Sequence, residues 1–178
     1  MHSSTLLPAP NQLHYKEVRS RETIKGKVVN LCLLNSIDSV PDHSLVTSAS
    51  IIPFMESSLM VATVLQRGLD IPGGHVEASD NGIVQTIKRE TYEEACLSLA
   101  DPLYLIGIIA SDYDPKKTTY MLITTGRVDA LDDFVAIHES VGREILSPDD
   151  FLARYEAGPR DMMQELLKRA YTLSSEFF

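Results

Sequence analysis

The chain has 178 residues, 44% of them hydrophobic, and a formal net charge of −9. That length and apolar content suffice for one buried core and predict a single main domain. The acidic balance argues against nucleic acid as a partner, because gripping a phosphate backbone needs a basic surface, whereas a nucleotide stays compatible if a metal and local Lys or Arg carry its charge.

Residues 1–18 contain Pro and Ser and show weak periodicity. No basic segment leads into a long apolar run and no apolar stretch approaches 18 residues, so no membrane association is expected and the protein is read as soluble and cytoplasmic. The first predicted strand is 27–34, rich in Val and Leu. Residues 35–44, with Pro41 and several Asp and Ser, read as a loop. Strands are predicted at 45–54 and 59–65, joined by a short turn at 55–58. Arg67 follows just before Gly68, a candidate contact for a phosphate. Cys32 and Cys96 have no paired spacing, so neither zinc nor a disulfide framework is suggested, and each is read as a buried thiol.

The next stretch carries the chemistry. Pro72-Gly73-Gly74-His75-Val76-Glu77 is followed, after eleven intervening residues, by Arg89-Glu90-Thr91-Tyr92-Glu93-Glu94-Ala95-Cys96-Leu97. Val84, Ile87, Thr91 and Ala95 recur at helical spacing and form a core-facing stripe. On that helix Glu90, Glu93 and Glu94 share roughly a third of the circumference, a little more than a quarter turn from the stripe. Three carboxylates at this spacing repel each other and oppose the helix dipole, so a cation is expected among them. Oxygen-only ligands suit Mg²⁺ or Mn²⁺, and Mg²⁺ typically combines one or two carboxylates with substrate phosphates, which points to a phosphate compound as substrate. The double glycine lets a ligand or metal approach the main chain closely.

Beyond the helix, strands are predicted at 104–110 and 118–125, joined by a hairpin loop over 111–117. A short strand follows at 141–146. Ser147 then fits an N-cap with Pro148 at the first helical position. The last predicted helix covers 160–173, with Met163, Leu166, Leu167 and Ala170 as its apolar stripe.

The glycine turn and the glutamate helix resemble the Nudix box, G-x5-E-x7-R-E-U-x-E-E-x-G-U with U a bulky aliphatic residue, over about 25 of the 178 residues. The resemblance implies an α/β fold, a Nudix-type α/β/α sandwich with a mixed β-sheet, over residues 44–178, and leaves residues 1–43 as an extension with one strand. It implies metal-dependent hydrolysis of a diphosphate joined to another group, with Glu90, Glu93, Glu94 and the Gly74 carbonyl as metal ligands and Arg89 orienting the glutamates. Glu139 is the candidate late-loop glutamate, and Glu93 or Glu139 the general base. Tyr113, sixteen residues past Leu97, is a candidate for stacking on a base. The expected substrate is a nucleoside diphosphate derivative (nucleotide, dinucleotide or nucleotide sugar), and a homodimer is the expected assembly. Three positions depart from the pattern. One residue is inserted between Glu77 and Arg89, so the first box glutamate falls on Asp80 counted from Gly74 and on Asn81 counted back from Arg89. Thr91 replaces an aliphatic residue, and Cys96 replaces the late glycine. The inserted residue, the missing first box glutamate and the lost late glycine favour the alternative of a non-catalytic Nudix-fold nucleotide-sensing or regulatory module, whereas the intact glutamates and Arg89 favour the enzyme.

Overall fold

The computed structural model describes residues 5–10, 15–56, 58–136 and 138–177. Its strands are β1 (Leu6–Pro8), β2 (Val18–Ile24), β3 (Lys27–Leu34), β4 (Val46–Phe54), β5 (Met60–Leu65), β6 (Gly68–Asp70), β7 (Gly73–His75), β8 (Leu97–Leu99), β9 (Leu103–Ser111), β10 (Thr119–Leu131) and β11 (Ser140–Leu146). The helices are α1 (Ile83–Ala95), α2 (Pro148–Arg154) and α3 (Arg160–Phe177). The main sheet runs β11-β5-β4-β10-β9-β3-β2. It is mixed: β10 lies parallel to β4 and β1 parallel to β9, while β9 with β10 and β2 with β3 are antiparallel.

Strand alternation sends successive residues to opposite faces, and two cores result. Ile52, Phe54, Met60, Ala62 and Ile123 pack beneath Met162, Met163, Leu166, Leu167 and Ala170 of α3. Ala49, Ile51, Val61 and Leu122 face the other way, under Ile87 and Ala95 of α1. Helices thus cover both faces of one sheet, the architecture expected from the resemblance.

Several expected elements form as read. The β3 strand has the predicted bounds, and Ser147 caps α2 by accepting the Asp150 N–H, with Pro148 in the first turn. The hairpin turn at 55–58 contains Ser57, which lies outside the described residues. Four differences have physical causes. The β2 strand was not expected; it forms because Lys25 and Gly26, both at positive φ, turn the chain tightly back onto β3. The β10 strand runs six residues past the predicted end, since Val128, Ala130 and Leu131 find a partner in β8. The α3 helix extends four residues past the predicted end, to Phe177, burying Ser174 as well. Cys96 is buried as expected, but Cys32 is only half-buried, on the edge strands beyond the reach of α1. No helix among the described residues is long and apolar enough to cross a membrane.

Candidate active site

The β7 strand lies antiparallel to β4, pairing Gly73 with Ser50 and Gly74 with Ala49, and this sets the glycine turn against the flank of α1. Glu90 reaches back onto that turn. A Cβ on Gly74 would run into the Glu90 carboxylate, so only glycine lets the acid lie on the backbone there. Glu94, one turn on, accepts the Gly73 N–H at 3.0 Å.

Arg89 is the hub of the site. Its Nε and one terminal nitrogen donate to the two oxygens of Asp80 at 3.0 and 2.9 Å, and the latter nitrogen also donates to the His75 carbonyl at 3.0 Å. The other terminal nitrogen donates to Glu90 at 2.9 Å and to Glu93 at 3.2 Å, and lies 3.6 Å from Glu77. Asp80 is almost fully enclosed, with 1% of its side-chain surface accessible, and also accepts from the Thr86 hydroxyl at 2.8 Å. The Arg89 hydrogen bonds, helped by the Glu77 N–H at 2.9 Å and the Thr86 hydroxyl, hold its carboxyl well below the usual range. Of the two candidates for the first acidic box position, Asp80 therefore meets the arginine. The Asn81 side chain is turned to solvent, and its N–H is taken by Gln85 Oε1 at 2.8 Å. The inserted residue is absorbed in the exposed turn before Ile83, where Asp80 N–H donates to the Glu77 carbonyl at 3.0 Å, and the helical register of the glutamates is undisturbed.

The electrostatics single out Glu94. Burial raises its pKa from 4.5 to about 7, the Gly73 N–H partly offsets this, and the negative charges of Glu90, Asp70 and Glu139 add to the rise. Asp70, which the sequence reading passed over, is itself raised by burial, although Arg67 pairs with it at 3.1 Å and it accepts the Ile71 N–H. The signal for it was its i,i+3 spacing from Arg67. Glu139 and Arg67 line one cavity of about 320 Å³ together with Leu65 and Gln66, so the late glutamate is brought within the electrostatic reach of Glu94. A larger groove of about 480 Å³, lined by Arg21, Cys32, Asp112 and Thr118 among others, lies on β2, β3 and β9, beyond β4 and β10 in the sheet order and away from the glutamates.

Tyr113 sits in the loop between β9 and β10, and the Lys27 ammonium lies 4.8 Å from its ring centroid, so one face of the ring is occupied. Lys116 is exposed, its N–H held by Asp114. Among the described residues no three acidic, His or Cys side chains stand as a ready-made metal cage, because the Arg89 guanidinium lies between Glu90 and Glu93. The donor set nevertheless fits Mg²⁺ or Mn²⁺: it consists only of oxygen, burial and then the neighbouring negative charges raise the Glu94 carboxyl, and the absence of a side chain on Gly74 lets the Glu90 carboxylate lie against its main chain.

The family model for the NUDIX domain matches residues 45–166, and the chain belongs to the NUDIX family. Solved structures with the same fold include a mutant form of the Bacillus subtilis pyrophosphohydrolase BsRppH, at 18% identity and a TM-score of 0.64, covering 88% of this chain and 96% of that one. A NUDIX hydrolase from Nitrosomonas europaea is 20% identical with a TM-score of 0.58, covering 70% and 87%. The NUDIX domain of Shewanella oneidensis NrtR, complexed with ADP ribose, is 11% identical with a TM-score of 0.57, covering 75% and 92%. At these identities the likeness carries the fold alone. A search among curated proteins finds no match to the chain.

Proposed function

We propose that this protein is a divalent-metal-dependent hydrolase that cleaves the diphosphate linkage of a nucleoside diphosphate derivative. The observation that carries the reading is the convergence of Glu90, Glu93 and Glu94 on one helix edge, tied to the glycine turn and sorted by Arg89. When bound, Mg²⁺ or Mn²⁺ supplies positive charge to the diphosphate oxygens and a water more acidic than bulk water. Glu90, Glu93, Glu94 and the Gly74 carbonyl are the residues that would hold it. Water attacks one phosphorus, the bridging P–O bond breaks, and two phosphate-containing fragments leave.

The chain's own groups do the rest. Arg89 fixes Glu90 and Glu93 from one side while Asp80 anchors it from the other, so the acids meet the substrate already oriented. Glu93 or Glu139 takes the proton from the attacking water; Glu139 is favoured by its place in the cavity beside Arg67. Arg67, with 61% of its side chain accessible, is free to swing from Asp70 to a substrate phosphate. The open face of Tyr113 offers a platform for a base. In the same reading residues 1–43 are an extension to the catalytic domain and the protein is a homodimer, for which sedimentation velocity is the check.

The test is phosphate release from a panel of nucleoside diphosphate derivatives with Mg²⁺ and then Mn²⁺, with and without added inorganic pyrophosphatase. Turnover of one member that is lost in Glu93→Gln supports the reading, and the pyrophosphatase dependence shows which bond is cut. Tight calorimetric binding without turnover of any member replaces it with a nucleotide-sensing module.

A further inference from the structure

The late glycine of the box is Cys96 here, and its surroundings give that replacement a use. Cys96 closes α1 at φ +49, a left-handed conformation that strains a non-glycine residue. Its sulfur accepts the Val135 N–H at 3.4 Å, which a glycine cannot do, and its carbonyl accepts the Asp132 N–H at 2.9 Å. Arg143, from β11, completes the joint. One terminal nitrogen donates to the carbonyls of Ala95 at 2.7 Å and Cys96 at 2.9 Å, and the other to the carbonyl of Asp132 at 2.6 Å. No ion pair of Arg143 is found among the described residues; its guanidinium serves main-chain carbonyls, two of them at the negative end of the helix that carries the glutamates. Arg143 is therefore hydrogen-bonded both to the end of α1, one residue past Glu94, and to residue 132, from which the chain runs on to Glu139.

We propose that Arg143, together with Cys96, is a positioning residue that ties the segment leading to Glu139 onto the C-terminus of α1, so that Glu139 lines the cavity beside Arg67. The proposal rests on the hydrolase reading for its kinetic consequence only; the joint itself is a statement about main-chain protection. It explains how an αL cysteine is tolerated in the box, since the hydrogen bonds it allows offset the strain. It also accounts for the arginine at the fourth residue of β11, where a neutral strand former would serve the pairing with Thr63 of β5 equally well.

The experiment uses the full chain with Arg143→Met, Arg143→Lys and Cys96→Gly, folding being confirmed by circular dichroism. Native-state hydrogen exchange of the metal-free protein is the first readout. Arg143→Met and Cys96→Gly should each raise exchange of the Asp132 and Val135 amides by at least about 10-fold, while amides of β4 and β10 keep their protection. Arg143→Lys, which retains a donor, should recover part of the protection. The second readout is a cycle with Glu139→Gln: that substitution should lower kcat by about 10-fold or more with KM nearly unchanged in the native background, and add less than about 3-fold once Arg143 is Met. Unchanged exchange at Asp132 and Val135 overturns the joint. Costs that simply multiply overturn its role in placing Glu139. If no diphosphate is turned over, the hydrolase reading fails and the exchange result alone decides the joint.

Discussion

Glu94→Gln separates the electrostatic account from a merely structural one. The carboxyl is raised from 4.5 to about 7 in the folded protein, chiefly by burial and then by Glu90, Asp70 and Glu139. A group raised in this way contributes stability that is fully present below its unfolded value and lost as pH rises through the folded value, so the metal-free protein weakens between about pH 4.5 and 7. A rise of this size would amount to about 3 kcal/mol for a fully shielded group. Glu94 is only half-buried and its neighbours are screened by solvent, which brings the figure to about 1–2 kcal/mol. Glutamine keeps an acceptor for the Gly73 N–H and removes the charge. In EDTA at pH 8.5 the variant should therefore be more stable than the native protein by about 1–2 kcal/mol, a gain of about 2–8 °C in Tm. At pH 5 the two should nearly coincide, because the native Glu94 is then protonated in the fold and close to its midpoint when unfolded. Thermal unfolding at the two pH values, followed by circular dichroism, makes the comparison. A variant that is no more stable than native at pH 8.5 would refute the raised Glu94 carboxyl on which the electrostatic account depends.

Three further outcomes follow from the same geometry. Gly74→Ala places a methyl where the Glu90 carboxylate lies, so the protein should fold while turnover falls by about 10-fold or more; activity within twofold of native in a steady-state assay would remove Gly74 from the account. Asp80→Asn takes the anchoring charge from Arg89 and should lower kcat by about 10-fold with the thermal transition still cooperative, whereas Asn81→Ala, a change in a solvent-facing side chain, should leave kcat untouched. Arg169 is fully buried, donates to the Ile106 and Lys16 carbonyls at 2.8 and 2.5 Å and pairs with Glu165 at 2.9 Å. Arg169→Met leaves those acceptors unpaired and should cost about 2–4 kcal/mol in urea unfolding, with early proteolytic cutting near Lys16; a cost below about 0.5 kcal/mol would show that the clamp on the N-terminal segment is idle.

Much of this was readable along the chain because the signals were local. The α1 stripe, the i, i+3, i+4 glutamates and the Ser147-Pro148 cap each depend on residues within about three turns of each other, and all three lie on the helices expected for them. The β2 strand escaped because its polar alternation matches an edge strand as well as a coil, and β6, β7 and β8 are three residues each, too short to leave a period. The choice between Asp80 and Asn81 could not be made by counting, since the inserted residue makes the counts from Gly74 and from Arg89 disagree by one; it is decided in space, where Arg89 grips the Asp80 carboxylate. Arg143 carried no signal for its role, because its acceptors are main-chain carbonyls 11, 47 and 48 positions away. The partial occupation of Tyr113 likewise depends on Lys27, which the pairing of β3 with β9 brings to the β9–β10 loop.

The most direct measurement is Mn²⁺ titration of the substrate-free protein at pH 8.5, followed by electron paramagnetic resonance, for the native chain and for Glu90→Gln, Glu93→Gln and Glu94→Gln. The account predicts saturable binding by the native protein that each substitution weakens by at least about 10-fold. Binding of equal strength in all four proteins, or hydrolysis that persists undiminished in EDTA, would contradict it.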